Sequence, residues 1–434
     1  MAAADGAALV VACLRAAGVR RVFVAPGHGL DDLVRSLVDE RVDVIAADDA
    51  QVASILADAD GALAVAPALG PGVALLPGRR LRLTSNPGAV VDPVELVIGE
   101  MPAAIAGWSV GRVAATVELV VPEGLDAAVD PSSRPLVVQR DDRLVRLSGG
   151  LAGMRTVLLV GVGVVRSGHA DDVVGAAERT GARVVATPGA VGVVPNDHPS
   201  WSGVVGVQAE DAWRSGLADA ELVIAVGVDD DEPGALVPDA AQLVDLEPWH
   251  LAFLGLDWPT PATAERCAAV AELHDLFGVA LPHAGGPLHP VRAARDVLDA
   301  SGDETRVAVD AGPVGLWFVR GVLATAAGRV VTPRLPAEGF AAAAALVGAL
   351  DRSPVVGLTT PGDAVTPRVL GLAADLGLSV VVEQWGDETG DPSRHRAELV
   401  GALTSGGVHL LGVAVDLAAA AELVELAGPV ILWG

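Results

Sequence analysis

The chain has 434 residues, just over half of them apolar, which is enough for two or three domains with separate cores and argues against a disordered protein. Its 29 basic and 55 acidic residues give a net charge of −26, which argues against nucleic acid and anionic lipid as partners, because their phosphates repel such a surface. It has neither lysine nor tyrosine, so Schiff-base lyases, class I aldolases and P-loop NTPases, all of which need a lysine, are set aside.

The start, M-A-A-A-D-G, lacks the basic region of a signal peptide, and Arg15 and Arg20 break the apolar stretch that follows. No apolar run reaches the roughly 18–20 residues of a membrane helix, so a cytoplasmic protein without a membrane partner is expected. Cys13 and Cys267 stand in apolar, helix-like contexts, where they pack as small hydrophobes.

Short apolar strands alternate with amphipathic or alanine-rich helices, the pattern of parallel α/β domains, and this pattern occurs three times. In the first block, 1–150, residues 7–18 read as a helix ending at Gly18. Residues 19–27 read as a strand and turn, 30–37 as a helix, and 42–47 and 134–140 as strands. In the second, 151–280, a strand and Gly-rich turn are expected at 155–164, a helix through 177–181, strands at 182–187 and 220–227, and a strand with its turn at 241–248. Residues 278–290, rich in Pro and Gly, read as a linker. The third block, 288–434, has strands expected at 306–312, 354–358, 378–383 and 429–433.

Several stretches in this order resemble the thiamine-diphosphate-dependent enzymes of the acetolactate synthase and 2-oxo-acid decarboxylase group. They include G-V-R-R-V-F-V-A-P-G (18–27), A-L-G-P-G (68–72) and L-V-I-G-E-M-P (96–102), the last matching a following strand of the family, in the first block. V-L-L-V-G-V-G-V-V-R-S-G (157–168), A-T-P-G-A-V-G-V-V-P-N-D-H-P (186–199), L-V-I-A-V-G-V (222–228) and L-V-D-L-E-P (243–248) lie in the second, and V-D-A-G-P-V-G-L-W (309–317) and E-G-F-A-A-A-A-A-L-V-G-A-L (338–350) in the third. The resemblance implies pyrimidine-binding, central and diphosphate-binding α/β domains, each built on a parallel sheet. It also implies a cleft shared between two chains, hence a homodimer or tetramer, and a small-molecule substrate.

The resemblance further implies a set of site residues. A family glutamate that promotes the cofactor's imino tautomer falls on Asp49 in A-A-D-D-A-Q (46–51). Aspartate is one methylene shorter, and a displacement of about 1 Å can cost roughly a hundredfold in rate. The other reading of Asp48 and Asp49 is that they cap the next helix. Gly70 and Gly72 fall on a family Ser-Gly-Pro-Gly turn. Laying Gly362-Asp363-Ala364 on the family's Gly-Asp-Gly makes Asp363 a Mg²⁺ ligand, whereas a shorter gap puts Pro361 there. The second metal position falls near Gly386-Asp387, so Asp387 is the other candidate ligand. Gly312 and Trp385 complete the cofactor-facing set, with Trp385 either lining the pocket or covering a shortened loop. Pro313, Val314 and Gly315 replace the polar groups of acetolactate synthases, and the segment after Glu388 is short.

His28, in A-P-G-H-G (25–29), lies near the two carboxylates if the fold is kept, and Glu338 is a further acid/base candidate. His198 and Trp201 read as packing in the central block, while His395 and His409 carry no signal. A dinucleotide site at Gly161 and Gly163 lacks the full Gly-x-Gly-x-x-Gly and an acidic residue closing the next strand, so a structural turn is expected and FAD is not indicated. Three functions stay open: a diverged thiamine-diphosphate- and Mg²⁺-dependent decarboxylase or carboligase, a cofactor-free acid/base enzyme in the same cleft, and a non-catalytic partner subunit.

Overall fold

A computed structural model describes residues 5–65, 70–85, 93–110, 116–125, 135, 147, 151–229, 232, 237–259, 267–282, 286–320, 326–386 and 391–433. Three sheets organise them, in line with the α/β reading. The first carries β1 (Arg21–Val24), β2 (Asp43–Ala46), β3 (Gly72–Leu76), β4 (Arg80–Thr84), β5 (Val94–Glu95) and β6 (Thr116–Val120), in the order β2-β1-β3-β4-β6-β5. Its helices are α1 (Gly6–Ala16), α2 (Asp31–Asp39), α3 (Ala50–Leu63) and α4 (Met101–Val110). The second sheet carries β7 (Thr156–Val160), β8 (Arg183–Ala186), β9 (Trp201–Val204), β10 (Leu222–Val226) and β11 (Gln242–Leu246), in the order β11-β10-β7-β8-β9. Around it lie α5 (Val162–Arg166), α6 (Asp172–Thr180), α7 (Asp211–Arg214) and α8 (Ala268–Ala280).

The third sheet carries β12 (Arg306–Val309), β13 (Val330–Val331), β14 (Val355–Thr359), β15 (Val380–Trp385) and β16 (Val408–Val413), in the order β13-β12-β14-β15-β16. Its helices are α9 (Pro290–Ser301), α10 (Pro313–Val319), α11 (Phe340–Leu350), α12 (Thr366–Asp375), α13 (His395–Ser405) and α14 (Ala420–Ala427). The second and third sheets are parallel throughout. Their central strands are apolar runs without alternation because helices cover both faces.

Three expectations are corrected. The first sheet is mixed: β4 runs antiparallel to β3 and β6. Gly78 and Arg79, both at positive φ, fold the chain straight back from β3 into β4. Residues 96–102 form no strand. Glu100 accepts a hydrogen bond from the Val97 amide, and Pro102, which cannot donate within a sheet, fits the first turn of α4. Residues 429–433 add no strand to the third sheet either, since Val430 makes only an isolated bridge to Gln208 and Trp433 has φ +62°. The strand expected at 134–140 lies outside the described residues.

The first and third sheets meet through α3 and α11. Residues 341–345 of α11 are all alanine and fully buried, and they pack with Ala53, Ala57 and Phe340 in one core. Such small side chains let the two helices approach closely. Arg21 pairs with Asp351 across this seam, and Arg306 donates to the Leu63 carbonyl at 2.9 Å. The second and third sheets are tied by buried Arg320, which donates to Gln208 and Asp211.

Candidate functional site

In parallel α/β sheets, ligands bind beyond the carboxyl ends of the strands. At that edge of the first sheet, β1 and β2 run in register to Val24 and Ala46. The chain then continues into the 25–29 loop and into Asp48-Asp49. Asp49 is the N-cap of α3, with its Oδ1 accepting from the Val52 amide at 2.9 Å. Both acids are also held by Arg368, three residues into α12, whose Nε donates to Asp48 Oδ2 at 2.8 Å and whose Nη2 lies 2.5 Å from Asp49 Oδ2. Partial burial pushes the Asp49 carboxyl up, but the Val52 amide and Arg368 outweigh it and hold it below the ordinary range. Asp49 thus both caps α3 and pairs with a cation of α12. The facing element, α12, belongs to the same chain.

The His28 imidazole is held at the entry of α2. Its Nδ1 accepts from the Leu30 amide at 2.8 Å, and its Nε2 lies 3.9 Å from Asp31. Arg79 clamps the loop by donating to the carbonyls of Gly29, Val121 and Pro122. Among the described residues, the polar partners of the His28 side chain belong to the entry of α2, so no His28–Asp49 acid/base pair forms.

At the carboxyl edge of the third sheet, Asp310 follows β12. Its carboxylate accepts from the Ala341 amide in the first turn of α11 at 2.7 Å and from the Thr359 hydroxyl at 2.6 Å. Burial pushes it up to about 6 against those two hydrogen bonds, and the charges of Asp363 and Glu338 push the same way. Glu338 itself is exposed. Gly312 caps α10 at φ +108°, a conformation that favours glycine. Asp363 accepts from the Val365 amide at 2.7 Å and from the amide and hydroxyl of Thr366, so both of its oxygens serve the entry of α12. Gly362, at φ +100°, borders open space.

The remaining candidates lie elsewhere. Gly70 precedes β3 and Gly72 is its first residue, so both stand at the opposite edge of the first sheet. A Cβ on Gly72 would fall 1.7 Å from the Ala57 carbonyl oxygen, and one on Gly70 would fall 2.5 Å from that of Gly18. These glycines serve chain packing. Trp385 is fully buried. Its indole N–H donates to Glu383 at 2.9 Å and its ring lies 5.8 Å from Phe318, so it belongs to the core rather than to a pocket wall. Asp387 lies outside the described residues. At the second sheet, Gly161 and Gly163 lie against the Gly227 backbone. The buried Glu232 carboxylate accepts from the Val162 amide at the head of α5, the position a dinucleotide phosphate would use.

Sequence reasoning missed Arg368, Asp310 and a buried cluster formed by His395, Glu383 and Asp296. His395 Nε2 lies 3.0 Å from Glu383 and its Nδ1 3.6 Å from Asp296. Asp310 had a weak signal, a polar residue ending an apolar strand. Arg368 had none, since it meets acids some 320 positions away.

The fit to thiamine diphosphate and Mg²⁺ can now be judged. Asp49, which the resemblance lays on the family's activating glutamate, is engaged by Arg368, and the Asp363 oxygens are engaged by α12. Among the described residues no three His, Cys, Asp or Glu side chains are grouped to hold a metal ion. As they stand, these residues do not fit the cofactor.

Two family models match the chain. The model for the thiamine pyrophosphate enzyme N-terminal TPP binding domain matches residues 4–78, and that for the thiamine pyrophosphate enzyme central domain matches residues 152–250. No curated protein matches. The two matches support a thiamine-diphosphate-dependent enzyme family, and the TPP-binding description suggests thiamine diphosphate as its cofactor.

Proposed function

We propose that this chain is a diverged, acetolactate synthase-like member of the thiamine-diphosphate enzyme group that acts without the cofactor, as a non-catalytic partner subunit. One observation carries the reading: Arg368 of α12 pairs with both Asp48 and Asp49. The acid at the activating position is thereby a structural counter-ion. The placement of His28 supports this reading over a cofactor-free acid/base enzyme, because, among the described residues, the His28 imidazole pairs with Leu30 and Asp31 and not with Asp49.

The second reading is a thiamine-diphosphate- and Mg²⁺-dependent enzyme acting on a 2-oxo acid. It is favoured by the two family matches and by the open Gly362 turn beside Asp363. Bound there, the cofactor would supply an electron sink for decarboxylation. Calorimetric titration of the protein with thiamine diphosphate, with and without Mg²⁺, separates the two. The expected result is no saturable binding at millimolar cofactor. Metal-dependent binding would refute the first reading, and CO₂ release from pyruvate and other 2-oxo acids would then be screened.

A further inference from the structure

Away from the cleft, a cavity of about 460 Å³ opens between the end of α9, the start of α13 and the residue preceding β13. That volume is in the range of small-molecule sites. Three arginines line it: Arg295, Arg329 and Arg396. In a chain of net charge −26, such a gathering of guanidinium groups needs an explanation.

The three groups differ in how they are held. Arg329 forms the inner wall, with its side chain only 6% exposed. It donates to the carbonyls of Leu298 and Gly302, both at 2.9 Å, which fixes the plane of its guanidinium. Arg295 and Arg396 stand at the mouth, about half exposed, and share a single carboxylate. Asp299 lies 2.9 Å from Arg295 Nε and 3.7 Å from Arg396 Nη1. Among the described residues, neither arginine makes a hydrogen bond. The other lining acid, Asp303, is 3.5 Å from Arg329 but almost wholly in solvent, where its charge is screened. One carboxylate thus faces two open guanidinium forks, with a third cation behind them.

We propose that this cavity is a binding site for the phosphoryl group of a small phosphorylated ligand. Arginine forks match phosphate oxygens two at a time, and a dianion can satisfy the two mouth arginines that Asp299 leaves without hydrogen bonds. A singly charged carboxylate would leave one of them unmatched. Because Arg295 belongs to α9 and Arg396 to α13, an occupant clamps the two helices together. It should therefore raise thermal stability as well as bind.

The test is calorimetric titration of the full chain with inorganic pyrophosphate, in EDTA and at constant ionic strength, beside thermal melts over the same concentrations. EDTA removes any metal-bridged binding in the cleft between the first and third sheets. The wild type should show saturable binding and a concentration-dependent rise in melting temperature. Arg295→Gln with Arg396→Gln, both surface changes, should leave the ligand-free melt in place and weaken binding roughly tenfold or more. Arg35→Gln, at an exposed ion pair with Asp32, should bind as the wild type does. No saturable binding by the wild type, or unchanged affinity in the double variant, would overturn the proposal.

Discussion

The buried cluster around His395 makes a quantitative prediction about pH. His395 is 3% exposed, Asp296 5% and Glu383 fully buried, and they join α13, α9 and β15. Burial opposes a charge on the imidazole, but the Asp296 and Glu383 carboxylates outweigh it and raise the pKa from 6.5 to about 9. The Asp296 contact, at 3.6 Å, is an ion-pair rather than a hydrogen-bond distance, so the Glu383 bond at 3.0 Å is the tighter hold. A folded-state pKa above the unfolded value means stability that is fully present below pH 6.5 and lost as pH rises through about 9. At 1.36 kcal/mol per pH unit, the contribution is about 3 kcal/mol, counted once for the coupled cluster. Urea unfolding at pH 6, 7, 8, 9 and 10 should show the wild type losing this amount relative to His395→Gln, whose own pH dependence lacks the term. A wild-type-minus-variant difference that stays constant from pH 6 to pH 10 would refute the reasoning.

Three further outcomes follow from the same geometry. Arg368→Gln should raise the titration midpoint of Asp49 toward the ordinary carboxylate value, as followed by NMR. An unchanged midpoint would show that the Val52 amide alone sets it. Asp363→Ala should cost about 1 kcal/mol through the weakened entry to α12, and Mg²⁺ should leave the melting temperature of both proteins unchanged. If Mg²⁺ stabilises the wild type alone, Asp363 is a metal ligand instead. Gly72→Ala should prevent stable folding, because its Cβ meets the Ala57 carbonyl, whereas Gly362→Ala meets nothing and should cost about 1 kcal/mol from its positive φ. A Gly72→Ala protein that melts like the wild type would contradict the packing.

The fold was largely legible because buried parallel strands announce themselves as continuous apolar runs. The stretches expected at 155–164 and 220–227 contain β7 (Thr156–Val160) and β10 (Leu222–Val226), though the first runs on past its strand into α5. The direction of pairing was less so. R-L-R-L-T at 80–84 alternates visibly, with Arg80 and Arg82 on one face meeting Glu118 of β6. That alternation does not say that β4 runs backwards, which the Gly78-Arg79 turn decides. At the site the limit is different in kind. Asp49 before a helix reads equally as cap or catalyst. What decides is a cation on a distant helix, and no local pattern reports it. Trp385 misled for a related reason: a large amphipathic ring near a loop suggests a pocket, yet its N–H found a buried carboxylate two residues back.

Charge also narrows what the cleft can accept. Asp48, Asp49, Asp310, Glu338 and Asp363 stand at the two carboxyl edges, and Arg368 pairs with only the first two. Asp310 already occupies the first turn of α11, where backbone amides would otherwise favour an anion, and the repulsion it feels from Asp363 and Glu338 contributes to its raised pKa. The chain has no lysine to offset these acids. A diphosphate entering this edge needs a divalent ion, and that ion would have to draw Asp363 away from three donors at the head of α12. Metal binding and the order of α12 are therefore opposed. Because Arg368 sits on that same helix, loosening it would also release Asp49. A Mg²⁺ titration followed by hydrogen exchange at the α12 amides reads this coupling directly: protection that falls as metal is added marks a competent site, and protection that does not change marks a cleft converted to structure.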